Sequence, residues 1–245
     1  MENIATAKIN PQKHRLAVAV IAILVLISAT VFFVSQSGEP PPEVGDIIEF
    51  GEHSWLVLEV REGGRFERHR VLIITEDIIG LRAYHHSTYS LTRRRVTWET
   101  SDIRRYLNND FYNSFTEQER RRIAEIIVLN DNNPWLPQVR LSNNDTVDKI
   151  FLLSLRQVVR YFGNSGQLAA GPNHPDNTSV GFHDQYSSYR IAHSADGIPD
   201  ALWWWLRCNG LTHASAIDYD GFLRVNGYMV NFPWGGVRPA LWLYF

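Results

Sequence analysis

The chain is nearly free of sulfur. Its 245 residues include one cysteine and two methionines, which excludes an internal disulfide and any zinc site built from several thiolates. An excess of either charge is missing too: 24 Lys and Arg stand against 26 Asp and Glu, a formal net charge of −2. Such a balance gives no basic footprint for wrapping nucleic acid, so no nucleic-acid partner is expected. The sequence has no G-x-S-x-G, P-loop, H-E-x-x-H or dinucleotide fingerprint, and so none of those local signatures of catalysis. No internal repeat is visible. What is abundant is apolar: 44% of residues are hydrophobic and 12% aromatic, ample to offset the chain entropy lost on folding.

One long uncharged run stands near the start. Leu16–Val34 reads LAVAVIAILVLISATVFFV, nineteen residues without a charge. As a helix it would span roughly 28 Å, close to the hydrocarbon thickness of a bilayer. Lys8, Lys13, His14 and Arg15 precede it, and only Glu39 and Glu43 are charged between Ser35 and Val44. The positive-inside rule then predicts a cytoplasmic tail (1–15), a single transmembrane helix (16–34) with the lipid bilayer as partner, and a domain outside the cell. A cleaved signal peptide is the competing reading. Its apolar core usually spans about 7–15 residues, and the VSQSG that follows this longer core is a poor cleavage site. Residues 35–43 contain Pro40, Pro41 and Pro42, which favour a stiff extended stalk. Three of the basic residues and only Glu2 of the acidic ones precede Ser35, so the part from Ser35 on carries a net charge of −4.

The pattern over 44–245 predicts α+β with a mostly antiparallel sheet. Ile47–Phe50 and Ser54–Val60 read as a hairpin around Gly51, and Val71–Ile74 as a buried strand. Tyr84–Arg95 is polar, aromatic and irregular. Ser101 or Asp102 can open a short helix through Leu107. Two capping boxes follow, in which paired side chains satisfy free backbone N–H groups. Thr116 with Glu119 predicts a helix over Glu117–Glu125, ahead of a strand at Ile126–Leu129; Ser154 with Gln157 predicts a helix stopping at Gly163. From Gly163 to Asp200 the chain turns rich in Gly, Asn, Ser, His and Pro, a long loop of the sort that carries function. Strands are expected at Ala201–Arg207, His213–Asp218, Gly221–Val225, Tyr228–Phe232 and Val237–Leu243, with Asp220-Gly221 and Asn226-Gly227 as hairpin turns.

These motifs carry a resemblance. GDIIEFGEHSWLVLEV, WETSDIRRYLNNDFYNSFTEQE, DKIFLLS and the closing WWLRCNG…GVRPALWL resemble a bacterial family of uncharacterised extracellular domains with a C-type-lectin-like fold, over roughly Val44 to Leu243. The resemblance implies terminal strands that pair, two helices beside them, and a long irregular loop region that carries binding. The family pattern commonly reads Ser-Pro-Gly after WWLR, where this chain has Cys208-Asn209-Gly210. Enzymes of related fold that make formylglycine use a pair of cysteines, and the lone Cys208 cannot supply one.

Candidate binding residues are Trp203, Trp204, Trp205 and Arg207, with Tyr84, His85, His183 and Tyr186 from the loops. In a strand Trp203 and Trp205 share one face and Trp204 the other, so one face can be core and the other a platform for a sugar or aromatic ring. A fully buried set is the plainer reading. Arg207 and Arg238 can pair with carboxylates at the strand ends. His85, His86, His174, His183 and His193 accompany loop aspartates, yet no H-x-x-x-H spacing supports a metal, and none is expected. Asp131-Asn-Asn and Ser142-Asn-Asn-Asp offer oxygen donors but neither an EF-hand nor the E-P-N and W-N-D triplets of calcium-dependent lectins. Arg93–Arg95 and Arg120–Arg122 read as solvated charge beside Glu99, Glu117, Glu119 and Glu125. No cofactor is expected. The sequence thus predicts a membrane-anchored, non-catalytic extracellular domain that binds a protein, peptide or glycan. Its alternatives are a structural component of an envelope complex and a metal-dependent enzyme using loop histidines.

Overall fold

Val71, Leu72, Ile73 and Ile74 are consecutive apolar residues, and all four are fully buried. A strand with both faces covered belongs at the middle of a sheet. In a computed structural model of the chain, which describes residues 40–64, 67–87, 96–135, 144–163, 181–197, 200–209 and 212–245 (without the side chains of 208 and 209), it is found there. β1 (Ile47–Phe50), β2 (His53–Arg61), β3 (Arg70–Thr75), β11 (Ala240–Tyr244) and β6 (Ile150–Phe151) form a five-stranded sheet in the order β1-β2-β3-β11-β6. Every neighbouring pair in it is antiparallel. A second antiparallel sheet runs β7-β10-β9-β8, from Gly181–Phe182, Leu223–Met229, His213–Ile217 and Trp204–Asn209. β4 (Ile126–Val128) and β5 (Thr146–Asp148) make a two-stranded ribbon. Residues 41–245 form one compact unit.

The ribbon is anchored by a buried carboxylate. Asp148 accepts from Trp98 Nε1 at 2.8 Å and from Arg104 Nε at 2.7 Å, and Arg104 lies on the first helix. That helix, α1, is longer than the sequence predicts. It runs from Asp102–Tyr106 through a π-helical stretch, Leu107–Phe111, to Tyr112–Ser114. Asn108 and Asn109 donate their side-chain amides to the carbonyls of Arg104 and Arg105, four residues back. Side-chain bonds of this kind compete with the regular helix ladder and bend a helix.

Both capping boxes form, at Thr116 before α2 (Glu117–Arg120) and at Ser154 before α3 (Leu155–Tyr161). The helix expected over Glu117–Glu125 ends at Arg120. Ile123 bridges Leu243, and Ala124 N–H donates to Trp242 O at 2.8 Å, so pairing with β11 overrides local helix propensity. A second correction concerns Asn226-Gly227. It is no hairpin turn, because β10 runs straight through it, and Gly227 (φ +62°) sits where the pairing register with β9 shifts. The positive φ serves a bulge in one strand.

The expected spanning helix requires correction as well. Among the described residues no helix is long and apolar enough to cross a membrane. Leu16–Val34, the 1–15 tail and most of the stalk lie outside the described residues. Four helical segments are described, the last being α4 (Ser187–Arg190). All are short, and α1 exposes the charged Arg105 and Asp110. The part of the loop region described at 181–197 is also more ordered than expected, with β7, α4 and a fully buried Arg190.

Candidate functional site: an arginine-lined groove

The register of β2 and β3 sets Arg61 directly opposite Arg70. Like charges facing each other across a strand pair destabilise it, so their surroundings matter. A bulge between Val57 and Glu59 shifts the alternation of β2. Beyond it Glu59 and Arg61, two residues apart, share a face, and Arg61 Nε donates to Glu59 Oε1 at 2.8 Å. The guanidinium also lies over the Trp242 ring, 4.3 Å from its centroid, a favourable cation–π contact.

Arg61, Arg70 and Trp242 line a groove of about 570 Å³, together with Arg156 and Arg160 of α3 and Arg207 of β8. Ile127 and Leu129, 68% and 60% exposed, give it an apolar lip. Arg160 pairs with Glu59 at 3.2 Å and Arg156 with Asp131 at 3.2 Å. Glu125 is engaged by Lys149 at 2.6 Å. Arg207 donates to Leu152 O, to Gln157 Oε1 at 3.1 Å and to Leu129 O at 3.1 Å. Arg70 has no carboxylate partner among the described residues. Two or more guanidinium forks converging on one groove suit a carboxylate or phosphate, which they bind in bidentate fashion.

Glu59 is the hub. Burial alone would raise its pKa, but hydrogen bonds from Tyr161 and Arg61 and the charges of Arg61 and Arg160 hold it below the ordinary glutamate value. Tyr161 is pushed upward in turn, by burial first and by Glu59 second. A carboxyl with a depressed folded pKa stabilises the protein above its unfolded pKa, here 4.5, and that contribution disappears as pH falls through the folded value. Denaturant midpoints measured from roughly pH 7 to pH 3 should therefore fall less steeply on the acid side in Glu59→Gln than in wild type. Parallel curves would remove Glu59 from this role.

Of the residues expected to bind, only Arg207 reaches this groove. Trp204 and Trp205 are fully buried, donating their indole N–H groups to Arg190 O and Arg82 O. Trp203 packs on Trp205, Tyr228 and Phe232 with centroids 4.6, 4.3 and 6.2 Å away. Tyr84 is buried and its hydroxyl donates to Arg207 O at 3.1 Å. Tyr186 lines a different groove of about 510 Å³ with Tyr161, Tyr189 and Leu58. His183 contacts Asp220 at 3.3 Å, and His85 meets His86 and Asp102. The structure does not bring the eight together. Arg238 is buried over Trp204 at 5.1 Å, and burial pushes its pKa down to about 10. Among the basic clusters, Arg121 pairs with Glu117; Arg93–Arg95, His174 and the Cys208 side chain lie outside the described residues.

The groove arginines carried a faint signal. Arg156 and Arg160, four apart after the Ser154 cap, must share a helix face, and Glu59 and Arg61 share a strand face. Their convergence depends on sheet order, which spacing alone does not show. No curated protein and no solved structure matches the chain. The family comparison is informative: residues 68–245, well over half the chain, match the family described as Domain of unknown function (DUF6273), and the chain belongs to that family.

Proposed function

We propose that this is a non-catalytic binding domain that takes an anionic group of a glycan or peptide in the arginine-lined groove. The supporting observation is the direct opposition of Arg61 and Arg70 beside Trp242, in a domain whose overall charge is slightly negative. Repulsion between facing cations is relieved when an anion bridges them. The apolar lip at Ile127 and Leu129 suits a ligand with one apolar side. A position outside the cell is part of the proposal, and it rests on the basic residues that precede the uncharged run Leu16–Val34.

The test is a titration of the full chain with polygalacturonate, polyglutamate and the neutral polymer dextran. Binding to at least one polyanion is expected, weakening as salt rises, with none to dextran. Arg70→Gln combined with Arg156→Gln should weaken it about tenfold or more, since each charge-assisted hydrogen bond contributes about 1.5–3 kcal/mol. Equal binding to dextran, no binding to either polyanion, or full affinity in the double variant would contradict the proposal.

A further inference from the structure

Away from the groove, the loop after Leu81 and the first turn of α1 place two imidazoles against one carboxylate. Asp102 opens the helix, whose cap Ser101 accepts from Arg104 N–H. Ile103 N–H donates to Tyr84 O at 3.1 Å, and His85 N–H to Val230 O at 2.8 Å. Main-chain hydrogen bonds thereby fix both segments. His86 N–H then donates to Asp102 Oδ2 at 2.9 Å, and His86 Nδ1 lies 2.6 Å from the same oxygen.

His85 is the informative member. Its residue is 8% exposed, and its Nδ1 lies 3.1 Å from Asp102 Oδ2 without making a hydrogen bond. If that nitrogen carries the proton, a buried donor is unused; if it carries the lone pair, the pair faces a carboxylate. Either arrangement is unfavourable, and a cation among the three groups relieves both.

We propose that His85, His86 and Asp102 form a binding site for a divalent transition ion of the zinc class. Imidazole nitrogen and carboxylate oxygen suit zinc, nickel and copper, whereas magnesium and calcium favour oxygen throughout. Their ligand atoms all lie within 4.8 Å of one another. Tetrahedral zinc, with bonds of about 2.0–2.2 Å, sets its ligands roughly 3.3–3.5 Å apart, so the contacts at 2.6 and 3.1 Å must open by less than about 1 Å. Three protein ligands leave a fourth position, on the solvent side where the His86 side chain is 73% exposed. Arg105 occupies the other carboxylate oxygen at 2.5 Å and is itself 70% exposed, so it opposes the incoming charge yet can swing away.

The experiment is calorimetric titration of the untagged full chain with zinc chloride, with magnesium chloride as the comparison. One zinc ion per chain is expected at this site, and no response to magnesium. His86→Ala, at an exposed position with little effect on folding, and Asp102→Asn should each weaken zinc binding at least about tenfold, since even outer partners of a metal ligand contribute 10–100-fold. Arg105→Ala should bind zinc more tightly than wild type, an effect that a merely hydrogen-bonded cluster would not produce. Undiminished zinc binding in His86→Ala and Asp102→Asn, no zinc binding up to about 1 mM, or equal response to magnesium would overturn the site.

Discussion

Arg190→Met is expected to destabilise the protein by about 3–5 kcal/mol, the effect of removing one partner from a buried ion pair. Arg190 is completely buried. Its Nη2 donates to Asp184 Oδ1 at 2.9 Å and its Nη1 to Asp184 Oδ2 at 3.2 Å, a bidentate pair. Its Nε donates to Gly221 O at 2.9 Å and Nη1 also to Phe162 O at 3.1 Å. One side chain thus ties the end of α3, the β9–β10 turn and the segment around Asp184. Methionine restores the packed volume but none of these bonds, and it deprives the Asp184 carboxylate of its guanidinium and two buried carbonyls of that donor. Urea midpoints check it. Since whole domains are stable by about 5–15 kcal/mol, a loss below about 1 kcal/mol would show that the network contributes little.

Gly227→Ala should cost at least about 3 kcal/mol. Two effects add at this position. A non-glycine residue held at positive φ is strained by about 1–3 kcal/mol, and a Cβ here would lie 1.6 Å from Ala214 O, well inside contact. The obstacle is backbone of the paired strand β9, which cannot rotate aside as a side chain can. Gly197→Ala separates the two effects, because φ is +76° there and nothing lies within 4 Å. It should cost only about 1–2 kcal/mol. If thermal or urea melts gave the two variants equal losses, the close approach of β9 and β10 at the bulge would be refuted.

What the sequence disclosed was what neighbours decide. The Thr116 and Ser154 caps are read within four residues, and each forms as its pattern demands. The first hairpin and the buried run Val71–Ile74 are equally local. Where a distant strand intervenes, local reading fails. Ile123 and Ala124 leave the helix to pair with β11, some 120 residues on. Asn226-Gly227 has the dipeptide of a turn, but β9 holds it in register as a bulge. The candidate sites follow the same division. His85-His86 stand out in the sequence, while Asp102, which completes their cluster, is marked only as a helix start. The groove gathers Arg61, Arg70, Arg156, Arg160 and Arg207 from four elements; the three adjacent tryptophans are the more conspicuous pattern, yet two of them are wholly interior because β8 is covered on both faces.

The central claim is that positive charge in this groove recruits an anion, and the most direct test reverses the sign of a variant's effect. Glu59 holds Arg61 and Arg160 by their guanidinium groups, so in wild type it competes with any bound anion. Glu59→Gln keeps the shape and a hydrogen-bond acceptor for Tyr161 but gives up the competing charge. Its dissociation constant for polygalacturonate, measured at the same salt as wild type, should be about 1.4- to fivefold lower, matching the 0.2–1 kcal/mol typical of a solvent-accessible ion pair. An unchanged or higher constant would mean that these arginines serve the fold alone.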